Sequence, residues 1–276
     1  MNKRLKVKNG RKFLALIMTV CCVFLWDYIL PRVMSYGLRY LVSHRIFTQY
    51  IRKLTALGLM SSVLSAVQNI GSLLCVALIM LILKKLGFLA ERQQRTRRLP
   101  FDVRRLCLAG ILGFGAAEAV IFCLPRLPEE IQTAYGNSMG SAVTGTVIFM
   151  VFFVAIHVIL VPLTEEVIFR GILYRFLRNS WGSIFCILVI SILFAGTHGS
   201  AVQMGYAFLM GILLCLIYEY YGSVLYTTAF HIVFNLFGSG IIFYAYAEYL
   251  AYAGTAVFAV SVILFAADVR NIKRQT

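Results

Sequence analysis

Apolar residues run on along this chain instead of alternating with polar ones. Eight near-continuous apolar stretches, at 13–30, 59–83, 106–124, 143–163, 183–197, 202–218, 224–244 and 249–267, take up most of its 276 residues. A helix needs about 20 apolar residues to cross a hydrocarbon core of roughly 30 Å. Six of the stretches come near that length, and those at 183–197 and 202–218 fall short. The pattern predicts an all-α fold, a polytopic transmembrane helix bundle of about eight spans, with no internal repeat and no low-complexity linker. The first stretch follows Lys3, Arg4, Lys6, Lys8, Arg11 and Lys12, as a secretory signal would. It is long for a cleavable segment, however, and reaches Trp26 and Asp27 without an Ala-x-Ala site, so it reads as a retained first span.

Between the first two stretches, Arg32, Arg39, Arg45 and Arg52 recur at near-heptad spacing among Leu38, Leu41, Val42, Ile46 and Ile51. This predicts one amphipathic helix over 31–58, lying on the membrane surface. Composition strengthens the membrane reading: 61% of residues are apolar and 13% charged, against roughly 25% charged in soluble domains. The net charge of +15 is therefore a matter of topology. With the N-terminus inside, twenty of the 26 lysines and arginines fall in cytoplasmic segments and six outside, the bias that sets orientation. Both termini are then cytoplasmic. No interleaving of basic and aromatic residues accompanies the charge, so nucleic acid is not an expected partner. The seven cysteines lie in or at the ends of apolar stretches without a Cys-x-x-Cys pair, which indicates neither a zinc ribbon nor a redox motif.

Charges inside a bilayer cost about 2.5–3.5 kcal/mol each by insertion scales, and are functional candidates by default. Residues 131–164 carry none, and then Glu165 and Glu166 stand side by side. Glu166 and Arg170 are one turn apart and pair on one helix face. Glu165 points about 100° away, as a general base facing the bundle would. Pro162 kinks the helix just before the pair. The competing account makes both glutamates solvated residues at a helix end. Phe194 and His198 share a face at i,i+4, and so do His231 and Asn235. For either histidine alone, a structural hydrogen bond to a neighbouring carbonyl is the commoner role. His157 has no polar partner at helical spacing, and Glu118 is a solitary carboxyl suited to packing or gating. By helical rise, His231 lies roughly 10 Å in from Val224 and His198 roughly 22 Å in from Ser183. The two match in depth if the fifth span ends inside the bilayer.

Glu-Glu-x-x-x-Arg, then Phe-x-x-x-His, then His-x-x-x-Asn, in that order on successive segments, resembles the CPBP family. These are the intramembrane CAAX-processing endopeptidases and bacteriocin-processing or immunity proteins that include the Ras-converting enzyme. The resemblance covers roughly 143–244, with no departure at the quoted positions. It implies hydrolysis of peptide bonds in membrane-associated protein or peptide substrates near the cytosolic leaflet. Carried over residue by residue, Glu165 and His198 activate water, His231 and Asn235 stabilise the oxyanion, and Glu166 and Arg170 hold the constellation. Family members are commonly called metalloproteases, and Glu165, His198 and His231 could ligate zinc with a fourth position for water. A glutamate–histidine mechanism without metal is equally compatible, and no His-Glu-x-x-His motif decides between them.

On this resemblance the chain divides into an N-terminal membrane region, 1–142, a catalytic core, 143–267, and a cytoplasmic tail, 268–276. Its partners are the bilayer and a membrane-associated substrate, and its compact size and short loops look like those of a bacterial plasma-membrane protein. The sequence does not indicate an oligomeric state. An ion-coupled transporter would bury similar groups but usually shows repeats with paired broken helices, which are lacking. The alternative is a non-catalytic immunity or scaffold protein that kept the family fold, against which the intact motif residues argue; a purely structural membrane subunit would not need the three polar stretches.

Overall fold

The computed structural model describes residues 3–85, 99–139, 147–239 and 247–274. The basic segment 86–98, the start of the fourth apolar stretch and the end of the seventh lie outside the described residues. All regular structure among the described residues is helical. α1 (Lys3–Phe24) continues through a π-helical turn, Leu25–Ile29, into α2 (Leu30–Ser43). Pro31 brings no N–H to the ladder, and the wider turn before it accommodates the gap without a break. The run stops at His44, whose backbone is extended (φ −96°, ψ 123°), and α3 (Arg45–Ala56) follows. The single surface helix expected over 31–58 is therefore two, the first of them a continuation of the opening span. Gly58 takes φ +69°, a left-handed geometry glycine adopts without strain, and turns the chain into α4 (Met60–Lys85).

α5 (Val103–Cys123) is capped by Asp102, whose Oδ1 accepts from the Arg104 N–H at 2.9 Å. After the short α6 (Glu129–Met139) comes one long helical run. It consists of α7 (Val147–Phe153), a π stretch Val154–Leu160, α8 (Val161–Glu166), a second π stretch Val167–Tyr174 and α9 (Arg175–Arg178). The remaining helices are α10 (Ser183–Gly196), α11 (Ala201–Tyr221), α12 (Val224–Gly238) and α13 (Ala247–Arg274).

Within the described residues, each of the eight apolar stretches forms helix. Among the described residues six runs are long and apolar enough to cross a membrane, while α10 and α12 are shorter. The stretch at 202–218 fills out into the 21-residue α11, whereas α10 has 14 residues, about 21 Å of rise. Large apolar side chains such as Phe13, Leu74, Ile192, Leu209 and Ile263 are exposed. In water this would be untenable; in lipid it is the expected outer face of a multi-pass helical membrane protein.

The chain forms two compact units, 1–95 with 145–186 and 96–144 with 187–276. In the first, α4 turns a face bearing Ser62, Asn69 and Ser72 inwards and packs on the run from Val154 to Tyr174. In the second, α5 lies between α12 and α13. Asp102 N donates to Tyr226 Oη at 3.0 Å and Phe114 meets Phe237, so α5 and α12 run parallel. Arg105 pairs with Asp268 and Phe122 meets Tyr252, so α13 runs antiparallel. Gly113 lies against the Phe230 backbone and Gly115 against that of Phe258, the close approach that small residues allow between membrane helices. Glu118 is buried on α5 against the bare backbone of Gly254.

Candidate active site

The Glu-Glu-Arg motif lies inside the membrane-crossing run Val147–Arg178, not at its end. Its α8 portion is bracketed by the two π stretches, a local geometry that occurs frequently at functional sites. Pro162 follows the first of them directly. Glu166 and Arg170 are fully buried, and Arg170 Nη1 donates to Glu166 Oε1 at 2.7 Å. The one-turn pairing expected from spacing is present, as a charge-assisted bond in a dry setting. The guanidinium also lies 5.8 Å from the centroid of the Phe169 ring, and Phe169 meets Trp26 edge-to-face at 5.2 Å. Trp26 comes from the π turn of the first span. Glu165 is only half-buried, so the two adjacent carboxyls stand in different surroundings.

Two interhelical contacts that spacing along one helix does not reveal hold this run. Thr164, the residue before Glu165, lies with Oγ1 3.1 Å from Asn69 Oδ1 and 2.8 Å from the Val161 carbonyl. Its hydroxyl proton is shared between two acceptors, and the Asn69 amide in turn donates to Ser65 O at 2.9 Å. His157 meets the Phe153 ring of its own run at 5.0 Å and has Nε2 3.4 Å from Ser62 Oγ. A periodic reading of α4 finds the serines and the asparagine on one buried face; it cannot name what they face.

The second unit carries the histidine motifs. α10 ends at Gly196, and His198 sits in the connection to α11, with Nδ1 3.0 Å from the Phe194 carbonyl. A carbonyl oxygen only accepts, so the Nδ1–H donates to it. The Phe194 ring meets His198 edge-on at 5.0 Å and His231 edge-on at 5.8 Å. One aromatic ring thus bridges the two histidines. The contact of Phe194 with His231 sets the ends of the two motifs side by side, although they lie at unequal distances from the starts of α10 and α12. His231 is buried on α12, with Asn235 half-buried one turn on.

The motif residues are therefore divided between the two units. The first has a half-buried carboxyl next to a locked ion pair. The second has an imidazole oriented by a backbone carbonyl, a second imidazole and an amide. The three zinc-ligand candidates are divided between the units, Glu165 in the first and His198 and His231 in the second. Within either unit, among the described residues, no three His, Cys, Asp or Glu side chains gather as a metal site needs.

Residues 146–237 match the family model of the type II CAAX prenyl endopeptidases, Rce1-like. The match takes in about a third of the chain, from the start of α7 almost to the end of α12, and encloses all six motif residues. No curated protein and no solved structure matches this chain.

Proposed function

We propose that this chain, a member of the CPBP/CAAX protease family through residues 146–237, is an intramembrane endopeptidase acting on membrane-associated proteins or peptides near the cytosolic leaflet. The observation that carries the reading is the family match, whose limits enclose Glu165, Glu166, Arg170, His198, His231 and Asn235. In the mechanism Glu165 and His198 take a proton from a water, whose oxygen attacks the scissile carbonyl carbon. His231 and Asn235 donate hydrogen bonds to the carbonyl oxygen as it becomes an oxyanion. Collapse of the tetrahedral intermediate breaks the C–N bond, and the abstracted proton goes to the leaving amine. Glu166 and Arg170 keep the helix that carries Glu165 in register.

Cleavage of candidate membrane-anchored peptides in proteoliposomes tests this. Wild type should cleave, and Glu165→Gln, His198→Ala and His231→Ala should each lose at least about 10²-fold, the usual contribution of a general base or oxyanion donor, while inserting and purifying as wild type does. Cleavage at the wild-type rate in all three would overturn the assignment. Assaying each protein after chelation and again after zinc resupply distinguishes the metal-dependent from the metal-free arrangement.

A further inference from the structure

Where α5 begins and α13 ends, the second unit has a groove with two kinds of wall. It encloses about 580 Å³. Its lower part is apolar, formed by Leu108, Ile111 and Leu264, and its mouth is formed by Arg104, Ala267 and Asn271. The α5 residues recur at 104, 108 and 111 and the α13 residues at 264, 267 and 271, so each helix contributes one continuous stripe. The mouth is at the end of the unit to which the basic residues assign the cytosol.

Charge around the mouth is unevenly committed. Arg105 donates to Asp268 at 3.0 Å and lies 3.9 Å from Asp102. Arg104 bonds Asp102 at 3.3 Å, yet its side chain is 89% exposed. Within a turn of Asn271 on α13 are Arg270 and Arg274, both exposed, while Lys273 turns to the Tyr220 ring of α11. Four cations thus stand against two carboxylates, and the excess flanks the mouth of an apolar slot between two membrane helices. A soluble anion would make no use of that slot, and an apolar ligand would make no use of the cations. A molecule with a phosphodiester above and hydrocarbon below uses both, and basic pockets between spans on the cytoplasmic side are sites of anionic lipid headgroups.

We propose that this groove binds an anionic phospholipid, with the phosphate at Arg104 and Asn271 and an acyl chain lying along Leu108, Ile111 and Leu264. The site is independent of the protease reading and shares no residue with it.

The test is native mass spectrometry of the full chain released from phosphatidylcholine nanodiscs containing increasing phosphatidylglycerol. Wild type should retain one phosphatidylglycerol at least tenfold more avidly than phosphatidylcholine. Arg104→Gln combined with Asn271→Leu should remove that preference, and Ala267→Trp should remove the retained lipid by filling the slot with every charge in place. Glycerol 3-phosphate, which has the headgroup phosphate without a chain, should fail to displace it. Arg126→Gln, which removes a cation at the opposite end of α5, should leave retention unchanged. Equal retention of the two lipids, retention unaffected in Ala267→Trp, or an equal loss in Arg126→Gln would each overturn the proposal.

Discussion

Glu166 and Arg170 are each completely buried, so each charge depends on the other for compensation. Removing one partner of such a pair leaves an uncompensated charge in a low-dielectric interior and costs about 3–5 kcal/mol, whereas replacing both with apolar residues of similar volume is often neutral. Arg170→Met should therefore lower the unfolding temperature in detergent, and adding Glu166→Leu should restore much of it. A double variant no more stable than Arg170→Met would mean that the pair is not the source of the loss. Asn69 acts differently, since it touches Thr164 and not a charge. Asn69→Leu should lower kcat by about tenfold or more with KM nearly unchanged, because misplacing a catalytic group costs rate before it costs binding. A raised KM at constant kcat would make Asn69 a substrate contact instead. The contrast between these sites explains what could be read beforehand. Glu166 and Arg170 are four residues apart, so helical geometry alone pairs them. Asn69 and Thr164 are on different helices, as are Ser62 and His157, and no local period encodes those contacts.

Helices behave similarly. Their positions follow from apolar runs, since a bilayer leaves the backbone few alternatives. Their ends and interruptions depend on contacts outside the run. Pro31, just past the first apolar stretch, is carried within a continuous helix; Pro162 lies in a run that goes on to Arg178. In α5 the consequential detail is which glycines face a backbone. A Cβ at Gly113 would fall inside contact distance of the Phe230 carbonyl, while one at Gly110 would meet only the Val233 side chain at 3.7 Å. Gly113→Ala should thus force α5 and α12 apart and destabilise by roughly 1–3 kcal/mol, and Gly110→Ala should be tolerated. Thermal unfolding of the two variants side by side decides it, and equal stability would count against the α5–α12 packing described here. The cap of the same helix has a pH signature. The Asp102 carboxyl is held below the ordinary carboxylate range by the Arg104 side chain and then by the Arg104 backbone N–H. Its contribution is present at neutral pH and is lost only as pH falls through that lowered value.

For the whole molecule, orientation comes from charge, and the short α10 raises the question of whether the count of crossings still holds. α10 and α11 form a hairpin, with Gly211 of α11 against the Ser191 backbone of α10. A hairpin returns to the side it started from whether its tip stops inside the bilayer or reaches the far surface. The shortness of α10 therefore does not change the side on which α12 and α13 begin. The parallel course of α5 and α12 and the antiparallel course of α13 agree with this alternation inside the second unit. With Arg170 buried inside its run, nineteen of the 26 basic residues remain in the flanking segments of one side, and the rule for basic loops predicts that both termini and the segment 86–98 are cytoplasmic. Reporter fusions after Thr276 and between Glu91 and Arg98 should both give a cytoplasmic signal. An external signal at Thr276 alone would mean an odd number of crossings, with the fault in α12 and the segment after it. An external signal at both would reverse the protein in the membrane and put the lipid groove at the outer leaflet.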